Sequence, residues 1–264
     1  MDGQQRFVPN VHFELIPIKN LVSNQKYQRS LSQTQIDRAS ADFDLHQVNP
    51  VKVSRRDGIN YVFNGQHTVE IVAKISGSRE TPVWCMIYDD LEYQHEADIF
   101  ANQMRYVRAL SALEIFQANL EAGNNRQLTI LALVESYGLK IGDGTGGNRI
   151  WAISTVENIY EKYGYQILNR VLRLCVGTWE GEANSLSGKM LAAVAKLAAA
   201  FGEELNEDIF AEKLGVVPVK QLMRNAKERG HGSSGLAAVL LEEYNGRKRN
   251  PAGRLAVSKL MAGV

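Results

Sequence analysis

The stretch "PVKVSRRDGINYVFNGQHTVEIVAK", residues 50–74, decides the fold. Val51, Val53, Tyr61 and Phe63 fall at alternating positions, and Asp57-Gly58 between the two runs is the dipeptide of a tight two-residue turn, so 50–63 reads as a β-hairpin. Val69, Ile71, Val72 and Ile75 then recur at helical spacing, and Gly77 supplies a stop, which predicts a helix over 66–76. At the junction stand Asn64, Gly65, Gln66 and His67. A glycine between strand and helix permits positive φ or a close approach of backbone. The N–H groups of a first helical turn carry partial positive charge and suit an anion such as phosphate. Gln66 and His67 add side-chain donors there. The plainer alternative is a turn in which Asn64 caps the helix.

Working outward, "HFELIPI" (12–18) reads as a strand, and "SQTQIDRASADFD" (32–44) as a helix with Ser32 and Gln35 in a capping-box pattern and Ile36, Ala39 and Phe43 on its apolar side. "TPVWCMIY" (81–88) is a nearly continuous apolar run and reads as a central strand. The order strand, helix, hairpin, helix, strand predicts a small α/β domain over 1–93. Beyond it helical patterns dominate: 92–105, 111–122, 126–137, 149–163, 165–175, 187–201, 207–213, 218–229 and 235–244, with a second capping box at Ser111 and Glu114. The fold class is therefore α+β, with a mainly helical region over 94–264.

"RQLTILALVESYG" and "NRIWAISTVENIYEKYG" could form a helix-turn-helix over 126–163; their connection is longer than the three or four residues of the simple motif, which leaves open a lengthened variant with a hairpin in the loop, or else the two helices pack plainly in a bundle. Asn148 and Arg149 would then be exposed contacts at the start of the second helix. The connection "GDGTGGN" (142–148) matches G-x-G-x-x-G, but a helix precedes it where a dinucleotide-binding loop follows a strand, so it reads as a loop.

The chain has 264 residues and a net charge of +1. By position, residues 1–93 carry 10 basic and 11 acidic groups, 94–219 carry 11 and 15, and 220–264 carry 9 and 3. The basic end, with Arg247-Lys248-Arg249, is either a nucleic-acid footprint or a solvated tail. No run of about 18 apolar residues is present, so no membrane span is expected. Cys85 and Cys175 stand far apart and read as reduced core thiols of a cytosolic protein. The five histidines show neither H-x-x-x-H nor H-E-x-x-H spacing, and there is no G-x-S-x-G elbow, so no metal ligands are assigned.

From Tyr27 through Lys74 the motifs together resemble the ParB/sulfiredoxin-like superfamily, closest to the "ParB-like nuclease domain" proteins of phages and mobile elements. Those proteins carry an early Gln-Arg segment, a helix, a Pro-led hairpin and a D-G-Q-H-R type box opening a helix. Here the segment is Tyr27-Gln28-Arg29 and the box is Asn64-Gly65-Gln66-His67-Thr68. The resemblance spans roughly residues 10–90 and implies a box facing a nucleotide or phosphate pocket in a bacterial or phage-infected cytoplasm. In partition proteins of the superfamily a G-E-R-R box binds cytidine triphosphate; in sulfiredoxins a G-C-H-R box carries the catalytic cysteine. Gln66 stands where that cysteine would be, which excludes sulfiredoxin chemistry. Thr68 replaces the final arginine, a permanent planar charge suited to phosphate, and Asn64 replaces the aspartate that could hold a metal. "HEADIFANQMRYVRALSALEIFQANLEAGN" is similar to the helices that follow the domain in phage relatives, with Arg105 and Arg108 on one face if the helix continues.

Three functions follow as expectations. The first is a DNA-associated protein holding nucleotide or backbone phosphate through Gln28, Arg29, Asn64, Gly65, Gln66, His67 and Thr68, with Arg105, Arg108, Asn148, Arg149, Arg247, Lys248 and Arg249 toward DNA. The second is a metal-assisted nuclease or nucleotide hydrolase with His67 as general acid or base and Glu70, three residues on, near enough to orient it. The third is a phage interaction protein with a degenerate site. A nucleoside triphosphate, a divalent metal and a homodimer are left open.

Overall fold

Five strands build the sheet of the first part of the chain: β1 (Val11–Pro17), β2 (Leu21–Val22), β3 (Val51–Arg56), β4 (Ile59–Asn64) and β5 (Pro82–Tyr88), in the order β1-β5-β3-β4-β2. The computed structural model describes residues 10–23, 26–89, 91–103, 105, 108–142, 148–229, 232–246 and 254–262. The hairpin forms as the turn chemistry dictates: β3 and β4 run antiparallel, and Asp57 (φ 51°) and Gly58 (φ 76°) both take the positive φ of a type I′ turn. β5 lies inside the sheet, antiparallel to β1 and parallel to β3. Val51, Val53, Val62, Val83, Cys85 and Ile87 point into one core with Val69 of α2.

Two helices accompany this sheet, α1 (Gln33–Ala41) and α2 (Gln66–Ser76). Ser32 caps α1 by accepting from the Gln35 N–H at 3.3 Å. α2 begins at Gly65 and ends at Gly77, both with positive φ. Asn64 is the last residue of β4, so it does not cap α2.

The chain divides into two compact units, 1–108 and 109–264. The third helix, α3 (Tyr93–Gln103), falls in the first unit, so the mainly helical unit begins at residue 109 and not at the 94 that helical periodicity predicts. Its anchor is Glu96, which is fully buried. Arg56 Nε donates to Glu96 Oε1 at 2.6 Å, and the Tyr27 hydroxyl donates to Oε2 at 3.1 Å. Removal of a carboxylate from water is tolerable because both oxygens are satisfied. α3 ends at Gln103, so Arg105 and Arg108 do not share a helical face; both are exposed.

The second unit is helical: α4 (Ala112–Glu121), α5 (Asn125–Ser136), α6 (Ile153–Trp179), α7 (Gly188–Phe201), α8 (Glu207–Leu214), α9 (Val219–Arg229), α10 (Gly232–Asn245) and α11 (Val257–Ala262). Ser111 and Glu114 form the full capping box of α4. α6 is broken at Gly164 (φ 81°, ψ 178°), the point where the sequence glycine separates two helical patterns. Between α5 and α6 lie two short strands, β6 (Lys140–Ile141) and β7 (Arg149–Ile150), paired in parallel rather than as a hairpin. Leu168, Leu172, Met190, Leu191, Leu197 and Phe210 lie at the centre of its core. Cys85 and Cys175 are free and buried, and burial raises both thiols, Cys85 to about 11. No helix among the described residues is long and apolar enough to cross a membrane.

Candidate functional site

The strand-to-helix junction is built on Gly65. Its φ of 101° is one that side chains rarely adopt, and a Cβ there would stand 3.3 Å from Val51 Cα. Glycine thus lets the start of α2 press against β3. No side chain caps this end of the helix, which leaves first-turn N–H groups open to whatever occupies the space beyond.

That space is a cleft of about 420 Å³ within the first unit. Gln28, Arg29, Asn64, Gly65, Gln66, His67 and Thr68 line it, together with Phe63 and with Phe100, Ala101 and Gln103 of α3. The Gln-Arg segment and the box, far apart in sequence, are therefore neighbours. Several of the polar side chains hold the walls together. Gln66 Nε2 donates to the Arg29 carbonyl at 2.8 Å, Gln28 Nε2 donates to the Val62 carbonyl, and Asn64 Nδ2 donates to Gln103 Oε1 at 2.7 Å. The amide nitrogens of Gln66 and Asn64 each carry two hydrogens, one of which makes the bond given.

His67 is 9% exposed. Its Nε2 accepts the Ser32 backbone N–H at 3.2 Å, which ties α2 to the cap of α1. An accepting Nε2 fixes the neutral tautomer with the proton on Nδ1. Burial holds the imidazole below its ordinary pKa, and the nearby Arg29 charge lowers it further. Glu70 is paired with Arg79 at 3.0 Å, so it does not orient the His67 ring. Arg29 is exposed and has no ion-pair partner among the described residues. Among the described residues, no carboxylate lines the cleft. Its polar character is one guanidinium, one neutral imidazole, four amides, one hydroxyl and a helix N-terminus, a set that attracts an anion.

Phe100 and Gln103 escaped the sequence reading. Their signal was the spacing of Tyr93, Glu96 and Phe100, which marks a helix face but not the sheet it covers. The Tyr27 ring packs against Tyr93 and Phe100, each at 5.5 Å between centroids, so Tyr27 anchors the Gln-Arg segment to α3. Tyr27 also has its hydroxyl pKa raised, by burial first and then by the Glu96 charge. Among the described residues no three or more of His, Cys, Asp and Glu gather as a metal-binding group.

The residues expected to meet DNA are spread over both units. Arg105 and Arg108 are exposed at the end of the first unit. Asn148 and Arg149 are exposed in the second, but they precede and form β7 and stop short of α6, which starts at Ile153. Arg247, Lys248 and Arg249 lie outside the described residues, as do Gly144 and Gly147 of the glycine-rich loop.

Comparison with known proteins gives three findings. The chain is similar to the crystal structure of the C-terminally truncated chromosome-partitioning protein ParB from Caulobacter crescentus complexed with CTP-gamma-S. The match covers 88% of this chain and 99% of that one, at 14% identity and a TM-score of 0.37, too distant to transfer a ligand. No curated protein matches. The sequence model of one family matches residues 22–256, and the chain thus belongs to the family of unknown function DUF6551.

Proposed function

We propose that this is a nucleic-acid-associated protein whose first unit binds phosphate, from a nucleotide or from a nucleic-acid backbone, in the cleft at the start of α2. The observation that carries the reading is the lining itself: Arg29, an uncapped helix N-terminus and the side-chain amides of Asn64 and Gln66 converge with no carboxylate among the described lining residues. A volume of about 420 Å³ is within the range of small-ligand sites. The resemblance of the Asn64–Thr68 box to the phosphate-facing box of the ParB/sulfiredoxin-like superfamily points the same way. In this scheme His67 offers Nδ1–H as a neutral donor and Arg29 supplies the charge.

A hydrolase using His67 as general base would need Nε2 released from Ser32 N–H or a base other than Nε2. Binding without turnover is the reading these contacts favour. It is tested by melting the full chain with each common nucleoside triphosphate, with and without magnesium, and with inorganic phosphate. A ligand at a hundred times its dissociation constant adds about 2.7 kcal/mol to the folded state. A rise in melting temperature that Arg29→Ala removes supports the reading. A shift with a short oligonucleotide but with no nucleotide assigns the cleft to backbone phosphate. Absence of any shift with all of these ligands overturns it.

A further inference from the structure

The helix α9 presents two unlike faces. Val219, Leu222 and Ala226 are buried in the second unit, whereas Lys220, Arg224 and Lys227 are exposed at i, i+4 and i+7, in one line along the helix. Arg229, off that line, is paired with Glu242 at 2.7 Å. The three aligned cations have no carboxylate partner among the described residues, and Glu228 of the same helix forms no ion pair with them. Glu182 is engaged at the start of the helix: its Oε1 accepts the Val219 N–H at 2.8 Å.

Two hollows flank this line and share Met223 as a wall. One, of about 570 Å³, is lined by Lys220, Arg224 and Lys227. The other, of about 650 Å³, opens where α6 and α7 begin, and holds Trp151 and Lys189. Trp151 is 62% exposed, which is unusual for so large an apolar ring. Gly188 keeps this second hollow tightly drawn: a Cβ on it would meet Thr155 Oγ1 at 2.7 Å. The result is a concave basic surface with a free aromatic face at one end.

We propose that this surface binds single-stranded nucleic acid, with backbone phosphates along Lys220, Arg224 and Lys227 and an unpaired base stacked on Trp151. Seven residues of helix separate the outer cations, about 10.5 Å, enough for two or three successive phosphates. A basic groove joined to an exposed aromatic ring is how unpaired strands are held without sequence preference, since every base offers a π face. A closed duplex offers no base face to an indole outside it. The inference rests on the reading of the protein as nucleic-acid associated but not on the phosphate cleft of the first unit, which shares none of its residues.

Fluorescence anisotropy on the full chain tests it, with labelled oligo-dT of about 20 nucleotides and a duplex of equal length between about 50 and 200 mM salt. Oligo-dT binds more tightly than duplex. The triple variant Lys220→Ala, Arg224→Ala, Lys227→Ala loses affinity, and its salt slope falls by about two, from roughly 0.7 per phosphate contact. Trp151→Ala weakens binding by about 5- to 150-fold at unchanged slope, and Trp151→Phe restores most of it. All four positions are exposed, so each variant keeps the wild-type melting temperature and the wild-type response to nucleotide. A triple variant with the full salt slope, Trp151→Ala binding like wild type, or duplex preferred over single strand each overturns the proposal. If the chain binds no nucleic acid while nucleotide still shifts its melting, the surface assignment fails and the cleft stands. If it binds oligo-dT through these residues while nucleotide does nothing, the cleft fails and the surface stands.

Discussion

Replacement of Gly65 by alanine tests the junction on which the candidate site is built. Three effects act on Gly65→Ala. A non-glycine residue at φ 101°, ψ 15° lies outside even the usual left-handed region, and such strain costs roughly 1–3 kcal/mol. The added methyl would lie 3.3 Å from Val51 Cα and 3.4 Å from both Val51 methyls. Val51 is fully buried at the centre of the sheet and cannot retreat, so crowding adds about 1 kcal/mol, the low end of overpacking costs. Against these, alanine restricts the unfolded chain and returns roughly 0.4–1 kcal/mol. The net expectation is a loss of about 1–3.5 kcal/mol. Gly77→Ala is the control. It also has positive φ, 68°, but nothing lies within 4 Å of its Cβ, so it feels strain without crowding and loses about 1 kcal/mol or less. Urea unfolding of the full chain, followed by circular dichroism and fitted for the transition of the first unit, measures both. The reasoning fails if Gly65→Ala is no less stable than Gly77→Ala, since Gly65 alone combines a φ outside the usual left-handed region with the close approach to β3.

Glu96→Ala leaves Arg56 without its partner; complete burial would put the cost at about 3–5 kcal/mol, and because the Arg56 side chain is 26% exposed we expect roughly 2–3 kcal/mol, read by the same unfolding experiment. The variant should also weaken nucleotide binding, because Tyr27 loses the acceptor that holds the Gln-Arg segment. His67 has a lowered pKa in the fold, so the unfolded chain takes up its proton first as pH falls. Its contribution to stability is complete above about 6.5 and drains away below that value. Between about pH 8 and pH 5 the wild type should therefore lose more stability than His67→Gln, and parallel pH profiles would count against the neutral imidazole. Arg29→Ala should leave stability within about 0.5 kcal/mol, as for an exposed residue, yet abolish the nucleotide-induced melting shift; Arg29→Lys should retain part of it, because an ammonium keeps the charge and loses the planar fork.

Much of this architecture is legible in the sequence because its causes are local. Asp57-Gly58 forces one turn type, and that turn fixes the register of Val53 against Val62. Gly65 and Gly77 bound α2 because only glycine takes their φ cheaply. Gly164 breaks α6 for the same reason. What is not legible is set by partners distant in sequence. A helical period shows that 93–103 is a helix, but the ion pair from Arg56 to Glu96 assigns it to the first unit, and nothing near Glu96 announces it. Arg105 and Arg108 looked like neighbours only under a helix that stops at Gln103. Two-residue strands such as β6 and β7 are too short to show alternation, so their parallel pairing has no signature. The cleft repeats the pattern. Asn64 to Thr68 could be read as one junction, whereas the approach of Gln28 and Arg29 rested on the family resemblance, and Phe100 and Gln103 had no signal of their own as its walls.

Thr68 allows the phosphate reading to be tested by gain as well as loss. It is the third residue of α2, half-buried and lining the cleft, at the position where the resembling proteins carry arginine. Thr68→Arg places a second permanent cation beside Arg29. It carries costs. A cation in the first turn opposes the helix dipole by about 0.3–1 kcal/mol, and the added charge pushes the His67 imidazole further toward its neutral form, as Arg29 already does. The folded protein should therefore be slightly less stable when empty. With phosphate present the balance reverses, because a charge-assisted hydrogen bond contributes about 1.5–3 kcal/mol. The expected outcome is a nucleotide affinity raised about 10- to 100-fold, a lower melting temperature without ligand and a higher one with it. A cleft that holds something other than an anion shows only the second of these changes, the lower melting temperature without ligand. If Thr68→Arg folds, melts slightly lower and gains no affinity for any nucleotide, inorganic phosphate or oligonucleotide, the converging donors around Gly65 serve the packing of α1, α2 and α3, and the box is a structural joint.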